Sequence, residues 1–223
     1  MAEVLITLGI IGVVAAITIP GLITAYKAHV LKTSFLKTYS TLHQAIRRME
    51  DDEVPIEQIF TSLKNYITGA TFCGAVSNTL YGDKNGSSCF NAQNGLYKTI
   101  TGKSTIPASL MDDSQYILAD GTNIMFEWDS THFSDGSHLW LFADINGYKN
   151  PPNRAGYDLF VFQIIDGKFL TFGDKETRIE GTYITPDTHC NPKGSGAYYN
   201  GFGCAHRAKS EADYFKWAIK NIK

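Results

Sequence analysis

No residue between positions 4 and 25 carries a charge, and the chain as a whole lacks the short signatures by which catalysis announces itself. It has no G-x-S-x-G elbow, P-loop, H-E-x-x-H pair or dinucleotide fingerprint, and its six histidines are scattered. The expectation is therefore that the protein is not an enzyme, because any catalytic site would have to be assembled from residues that leave no local pattern. Strong basicity is missing too. With a formal net charge of −2 and a pI near 6.3, nothing supports direct nucleic-acid binding. The four cysteines include no C-x-x-C pair, so zinc is not expected despite His189 and His206 close by.

What is present begins with the uncharged run itself, VLITLGIIGVVAAITIPGLITA, preceded by the acid Glu3. Its 22 residues make about 33 Å of helix, close to a hydrocarbon core of about 30 Å, so the segment can cross a membrane. A cleaved secretory signal is the alternative. Such signals open on a basic region and carry a shorter apolar run ending at a small-residue cleavage site, whereas this one opens on Met-Ala-Glu. A retained anchor is the better reading. The lysines that follow, Lys27, Lys32 and Lys37, would by the positive-inside tendency hold that side in the cytoplasm. A basic leader preceding the given chain would reverse this, and such a leader is expected.

Beyond the apolar run, Leu31, Phe35, Tyr39, Leu42, Ile46 and Met49 recur at spacings of three and four, which draws one stripe down a helix to about Glu50. This stripe is expected to pack on the following domain, to pack between subunits, or to do each over different parts. Pro20 and Gly21 interrupt the anchor, and the missing backbone donor predicts a kink near residues 16–20. Gly9, Gly12, Ala15 and Ala16 leave small patches where another helix can approach.

The remaining chain, about 170 residues, suffices for one compact head. Residues 54–67 predict a short helix with Pro55 in its first turn. Segments 115–119 and 122–128 flank Asp120-Gly121 as a hairpin, residues 138–145 and 158–165 are aromatic and β-branched, and Asp166-Gly167 turns the chain into 168–172. The sum is an antiparallel sheet of four or five strands, one face on the stem helix and the other partly solvated. Residues 211–222 predict a terminal helix presenting Tyr214, Phe215, Trp217, Ala218 and Ile222.

Cys73, Cys89, Cys190 and Cys204 suit an oxidising compartment. Three pairings are formally open. The local one, Cys73 with Cys89 and Cys190 with Cys204, closes two loops of about 15 residues, each worth roughly 3 kcal/mol in the chain-entropy model. Tyr198, Tyr199 and Phe202, between the last two cysteines, are expected either to form an exposed contact surface or to fold back on the core. Asp144, Asn146 and Asp158, with Gly147, Asn153 and Gly156 between them, offer hard oxygen ligands, and D-x-N-G opens as calcium loops do. The full EF-hand pattern is absent. The same residues are those of a tight strand connection, so both readings stand.

The segment AEVLITLGIIGVVAAITIPGLI resembles the N-terminal segment of type IV pilins and type II secretion pseudopilins, whose mature chains start with an aromatic residue and carry Glu a few positions later. The resemblance covers about residues 1–50. It implies a chain starting at the third mature residue, after a leader removed by prepilin peptidase, with N-methylation of the first residue. The implied fold is α+β, a long N-terminal helix packed on an antiparallel sheet, with a disulfide-bounded C-terminal loop and a short terminal helix. Three parts are expected: an assembly and transmembrane part at 1–25, an amphipathic stem at 26–50 and a head at 51–223. The implied assembly residues are Glu3, Pro20 and Gly21. In such filaments the Glu carboxylate pairs with a neighbouring subunit's N-terminal amine, and the Pro-Gly position lets the stem unwind in the packed fibre. Physics supports the first role separately, since a buried carboxylate met by its partner only in the assembled state fixes register. Some pseudopilins also bind calcium after the sheet begins.

The implied function is a structural filament subunit held in the inner membrane with an extracytoplasmic head. Its partners would be homologous subunits, an assembly platform and membrane lipid. A different class, a monomeric membrane-tethered extracytoplasmic binding or sensor protein, fits the same anchor. Charge is unevenly spread: residues 26–50 carry net +4 and residues 51–223 net −5. A basic stem beneath an acidic head suits anionic lipid headgroups or head-to-stem attraction between subunits.

Overall fold

The computed structural model describes residues 2–74, 95–128, 139–165, 167–179 and 181–222. Helix α1 (Ala2–Asp51) is unbroken, and among the described residues its buried side chains all lie in its second half, from Ala28 onward. The expected stripe is the buried one: Leu31, Phe35, Leu42, Ile46 and Met49 are buried and Tyr39 is half-buried, joined by Ala28, Thr38 and Ala45. Lys27, Lys37, Arg47 and Arg48 are exposed, and Lys37 and Arg48 reach back to the head, Lys37 to Asp120 at 2.9 Å and Arg48 to the Tyr66 carbonyl. Amphipathic spacing thus orients the stem on the head.

After α1 the chain turns through α2 (Ile56–Ser62) and a further turn of 3-10 helix at Leu63–Asn65. Pro55 stands just before α2, with ψ of 142°, rather than within its first turn. The sheet has six antiparallel strands in sequence order, where four or five were expected: β1 (Thr71–Phe72), β2 (Ser114–Ile117), β3 (Asn123–Trp128), β4 (Leu139–Asp144), β5 (Leu159–Ile165) and β6 (Lys168–Thr171). Asp120-Gly121 does turn β2 into β3, pairing Ser114 with Phe126 and Ile117 with Asn123. Asp166 lies outside the described residues; its neighbour Gly167 precedes β6, which pairs with β5.

Alternation along the strands sorts the core into two layers. Ile124, Phe126, Leu139, Leu141, Phe160, Phe162 and Ile164 face α1. Met125, Trp140, Phe142, Leu159 and Val161 face the other way and are equally buried. This corrects the expectation of a partly solvated second face. Tyr97, Ile106, Met111, Phe172, Ile179, Ile184 and Phe202 cover it, from the segment before β2 and from residues 172–202 after β6. The correction has a clear physical cause: HLWLFADI and DLFVFQII are near-continuous apolar runs, the pattern of strands buried on both faces.

The cover is stitched by polar groups. Buried Gln163 in β5 donates to the Arg178 carbonyl at 2.9 Å and accepts from its N–H at 3.0 Å, which pins the small hairpin of β7 (Arg178–Ile179) and β8 (Thr182–Tyr183) to the sheet. A short α3 (Pro186–His189) leads to Cys190, which is bonded to Cys204 across 4.8 Å between Cα atoms. The loop they bound folds back: Phe202 is fully buried and Tyr199 packs beside it, while Tyr198 stays 39% exposed. Of the two outcomes open for these aromatics, core packing holds for two and exposure for one. Cys73 is buried and disulfide-bonded; its expected partner Cys89 lies outside the described residues.

Cys204 also begins α4 (Cys204–Ser210), a helix the sequence reading did not resolve, and α5 (Tyr214–Asn221) closes the chain. α5 starts at Tyr214 rather than Glu211, and its Tyr214, Phe215 and Ala218 dock on α1 with Ile222 behind them. The result is an α+β, pilin-like arrangement: a long N-terminal helix, an antiparallel sheet, a C-terminal disulfide and a short terminal helix.

Candidate functional site

The N-terminal half of α1 projects from the head with its apolar side chains in the open. Val4, Ile6, Leu8, Ile10, Ile11, Val13, Val14, Ile17 and Leu22 are each more than half exposed, Ile17 at 75%. An added Cβ at Gly9, Gly12 or Gly21 would meet nothing within 4 Å, so the small patches face open space as well. The helix is long and apolar enough to cross a membrane. An apolar surface of this length is stable only under lipid, another protein surface, or both.

Glu3 stands exposed at the far end of this rod. Pro20 sits inside α1 without ending it. Threonines on both sides bond back to the chain: Thr18 donates to the Val14 carbonyl at 2.9 Å and Thr24 to that of Pro20 at 2.9 Å. The subunit by itself keeps its helix at Pro20-Gly21, and the unwinding that the resemblance attaches to the packed fibre is absent from it.

The second candidate site lies where β4 ends and β5 begins. Because these strands are neighbours, Asp144 and Asp158 come together, and the Ile145 N–H donates to the Asp158 carbonyl at 2.9 Å. Both side chains are fully buried. Asp144 Oδ1 accepts the Gly147 N–H at 3.0 Å, and its Oδ2 accepts the Tyr97 hydroxyl at 3.0 Å. Asp158 accepts the N–H groups of Asn153, at 2.9 Å, and of Arg154. Gly147 is required here twice over: its φ is +82°, and a Cβ would stand 2.7 Å from the Gly121 carbonyl oxygen.

Burial lifts the Asp144 carboxyl to about 7, and the charge of Asp158 adds to the lift. Asp158 rises to about 6, again mainly through burial, with backbone N–H bonds from Arg154 and Asn153 and the Asn146 side chain opposing. Two further oxygens, Asn146 Oδ1 and Asn153 Oδ1, are buried without a hydrogen-bond partner. Two carboxylates that resist ionisation beside two unsatisfied amide oxygens make a donor set of the kind hard cations take. Asp144, Asn146 and Asp158 therefore fit calcium in chemistry, with Asn153 as a fourth donor. Such an ion would supply the positive charge that lets both acids ionise. Tyr97, 47 positions from Asp144, left no signal in the sequence.

A third group of acids, Asp112, Asp113 and Glu127, brings carboxylate oxygens within 4.8 Å of one another beside β3. Burial and the charge of Asp113 raise Asp112 to about 6. This group was not legible in the sequence either, since it joins residues on two segments.

Compared with known protein families, with curated proteins and with solved structures, the chain matches none.

Proposed function

We propose that this chain is a structural, non-enzymatic subunit of a type IV filament, either a pilus or a type II secretion pseudopilus. It is stored as a single-pass inner-membrane protein with its head outside the cytoplasm, extracted by an assembly platform, and polymerised by packing of its N-terminal helices. One observation carries the reading: an apolar rod with a lone acid at its tip stands clear of a head that has already buried its own core. A tether needs only length. Exposed Gly9, Gly12 and Gly21 along the rod are what close packing between helices uses. In the packed state Glu3 enters an apolar bundle, where a carboxylate survives only with a counter-charge. Its partner is the N-terminal amine of a neighbouring copy.

In this reading the Asp144–Asp158 connection, filled by calcium, stiffens the end of β4 and the loop that follows, and the ion has no part in chemistry. The reading is tested by Glu3→Ala in the producing cell. Loss of sheared filaments with full amounts of membrane-held, folded subunit supports it. Unchanged filaments, or none in the parent strain, favour the monomeric tethered binding or sensor protein.

A further inference from the structure

The edge of the head beside the apolar half of α1 is made by α5. Its Lys216 and Lys220 lie one turn apart on the exposed side of that helix, and with Pro20, Gly21, Thr24 and Ala25 of α1 they line an open groove of about 390 Å³. The ammonium groups do not hang on a loose tail. Tyr214, Phe215 and Ala218 anchor α5 in the main core, so the height of both lysines along the rod is fixed.

That height has a meaning if α1 spans a bilayer, and the inference rests on that reading. Residues 4–25 cover about 33 Å, so the groove at residues 20–25 falls where a hydrocarbon core of about 30 Å gives way to headgroups. The charges around it are mostly of one sign. Lys27 is exposed within a turn of Thr24, and Lys32 donates to the Ala212 carbonyl at 3.0 Å. The acids nearby are Asp213, 3.0 Å from Lys216, and Glu211, which Arg207 takes through two bonds of 2.8 and 2.9 Å. Hydrogen bonding to Lys216 holds the Asp213 carboxyl below its usual range, so it stays ionised and offsets one lysine of four. Among the described residues no ion pair engages Lys27, Lys32 or Lys220, and Lys220 shares the apolar groove with the paired Lys216.

We propose that this groove seats the headgroup of an anionic phospholipid, its phosphate between Lys216 and Lys220 and its acyl chains running down α1 from Pro20. The lysine stems lie along the apolar wall and lift their charges to the phosphate, as long basic side chains do at membrane surfaces. The lipid clamps the head upright on the bilayer. Extraction of the subunit then includes surrender of this lipid.

The test uses the full-length chain in nanodiscs of equimolar phosphatidylcholine and phosphatidylglycerol, with native mass spectrometry to count the lipids that remain bound on release. The parent chain should retain phosphatidylglycerol in preference to phosphatidylcholine. At a factor of about five per lysine near an anionic surface, K216Q/K220Q should cut that preference roughly thirty-fold. K103Q/K193Q, which changes two exposed lysines outside the groove, should leave it intact. Equal retention of the two lipids, a K216Q/K220Q variant that keeps the preference, or a dimer mass without lipid would each overturn the headgroup site while leaving the anchor standing. A chain that never enters the disc overturns the anchor, and this site with it.

Discussion

Phe35 of the stem and Phe160 of β5 meet edge to face with ring centroids 4.7 Å apart, and the same Phe35 ring lies 5.8 Å from Phe215 of α5 and 6.2 Å from Phe162. One fully buried side chain thus ties the long helix to the sheet and to the end of the chain. Phe35→Ala should cost about 3–5 kcal/mol, the range for emptying a buried phenylalanine site. Thermal unfolding of the full chain in detergent should show a midpoint lower by about 6 °C or more. A shift within about 1 °C would mean the stem does not need this contact.

The Cys190–Cys204 bridge closes a segment rich in glycine and asparagine whose shape depends on Phe202 and Tyr199 reaching the second layer of the core. Replacing both cysteines by serine should destabilise the head by roughly 3 kcal/mol in the chain-entropy model. It should also free the segment for limited proteolysis near Ser195. Equal protease resistance in the double variant would show that the aromatic contacts alone hold it.

Stability should depend on pH through Asp144 and Asp158. Their carboxyls sit at about 7 and about 6 in the folded chain, against about 3.9 when unfolded, so between these limits the folded state holds more protons. In chelator, stability should therefore fall as pH rises from about 4 to about 7 and level off above, by on the order of a few kcal/mol. Calcium should restore the loss at pH 8. Asp144→Asn should raise the chelator midpoint at pH 8 and abolish the response to calcium. A midpoint that is flat from pH 5 to pH 8 in chelator contradicts the buried pair; an unaltered calcium response in the variant contradicts the ligand assignment.

The legible parts of this fold are those written in local spacing. The stripe from Leu31 to Met49 names its own buried face, Asp120-Gly121 marks its hairpin, and the short span from Cys190 to Cys204 favours their pairing. What escaped depends on distant partners. β1 is two residues long and gains strand geometry only by pairing with Ile117 and Tyr116. α4 has seven residues and follows a glycine-rich loop, too short to show a period. Phe202 reads as a loop aromatic until Phe142 and Phe172 stand 5.5 and 6.1 Å away. The acid pair was half visible: spacing proposed Asp144, Asn146 and Asp158, while the hydroxyl of Tyr97 and the orphaned oxygen of Asn153 come from the folded chain. Pro20 shows the reverse case, a residue with a strong local rule that lies inside α1 without ending it.

Packing of identical rods is tested most directly by placing a cysteine at Gly9, whose surroundings in the lone subunit are empty, and oxidising membranes that contain the full-length chain. Neighbouring rods in register should yield disulfide-linked dimers that accumulate in the sheared filament fraction and disappear when Glu3→Ala is added. Monomer alone in every fraction, with the head folded and the chain held in the bilayer, would contradict assembly through this helix.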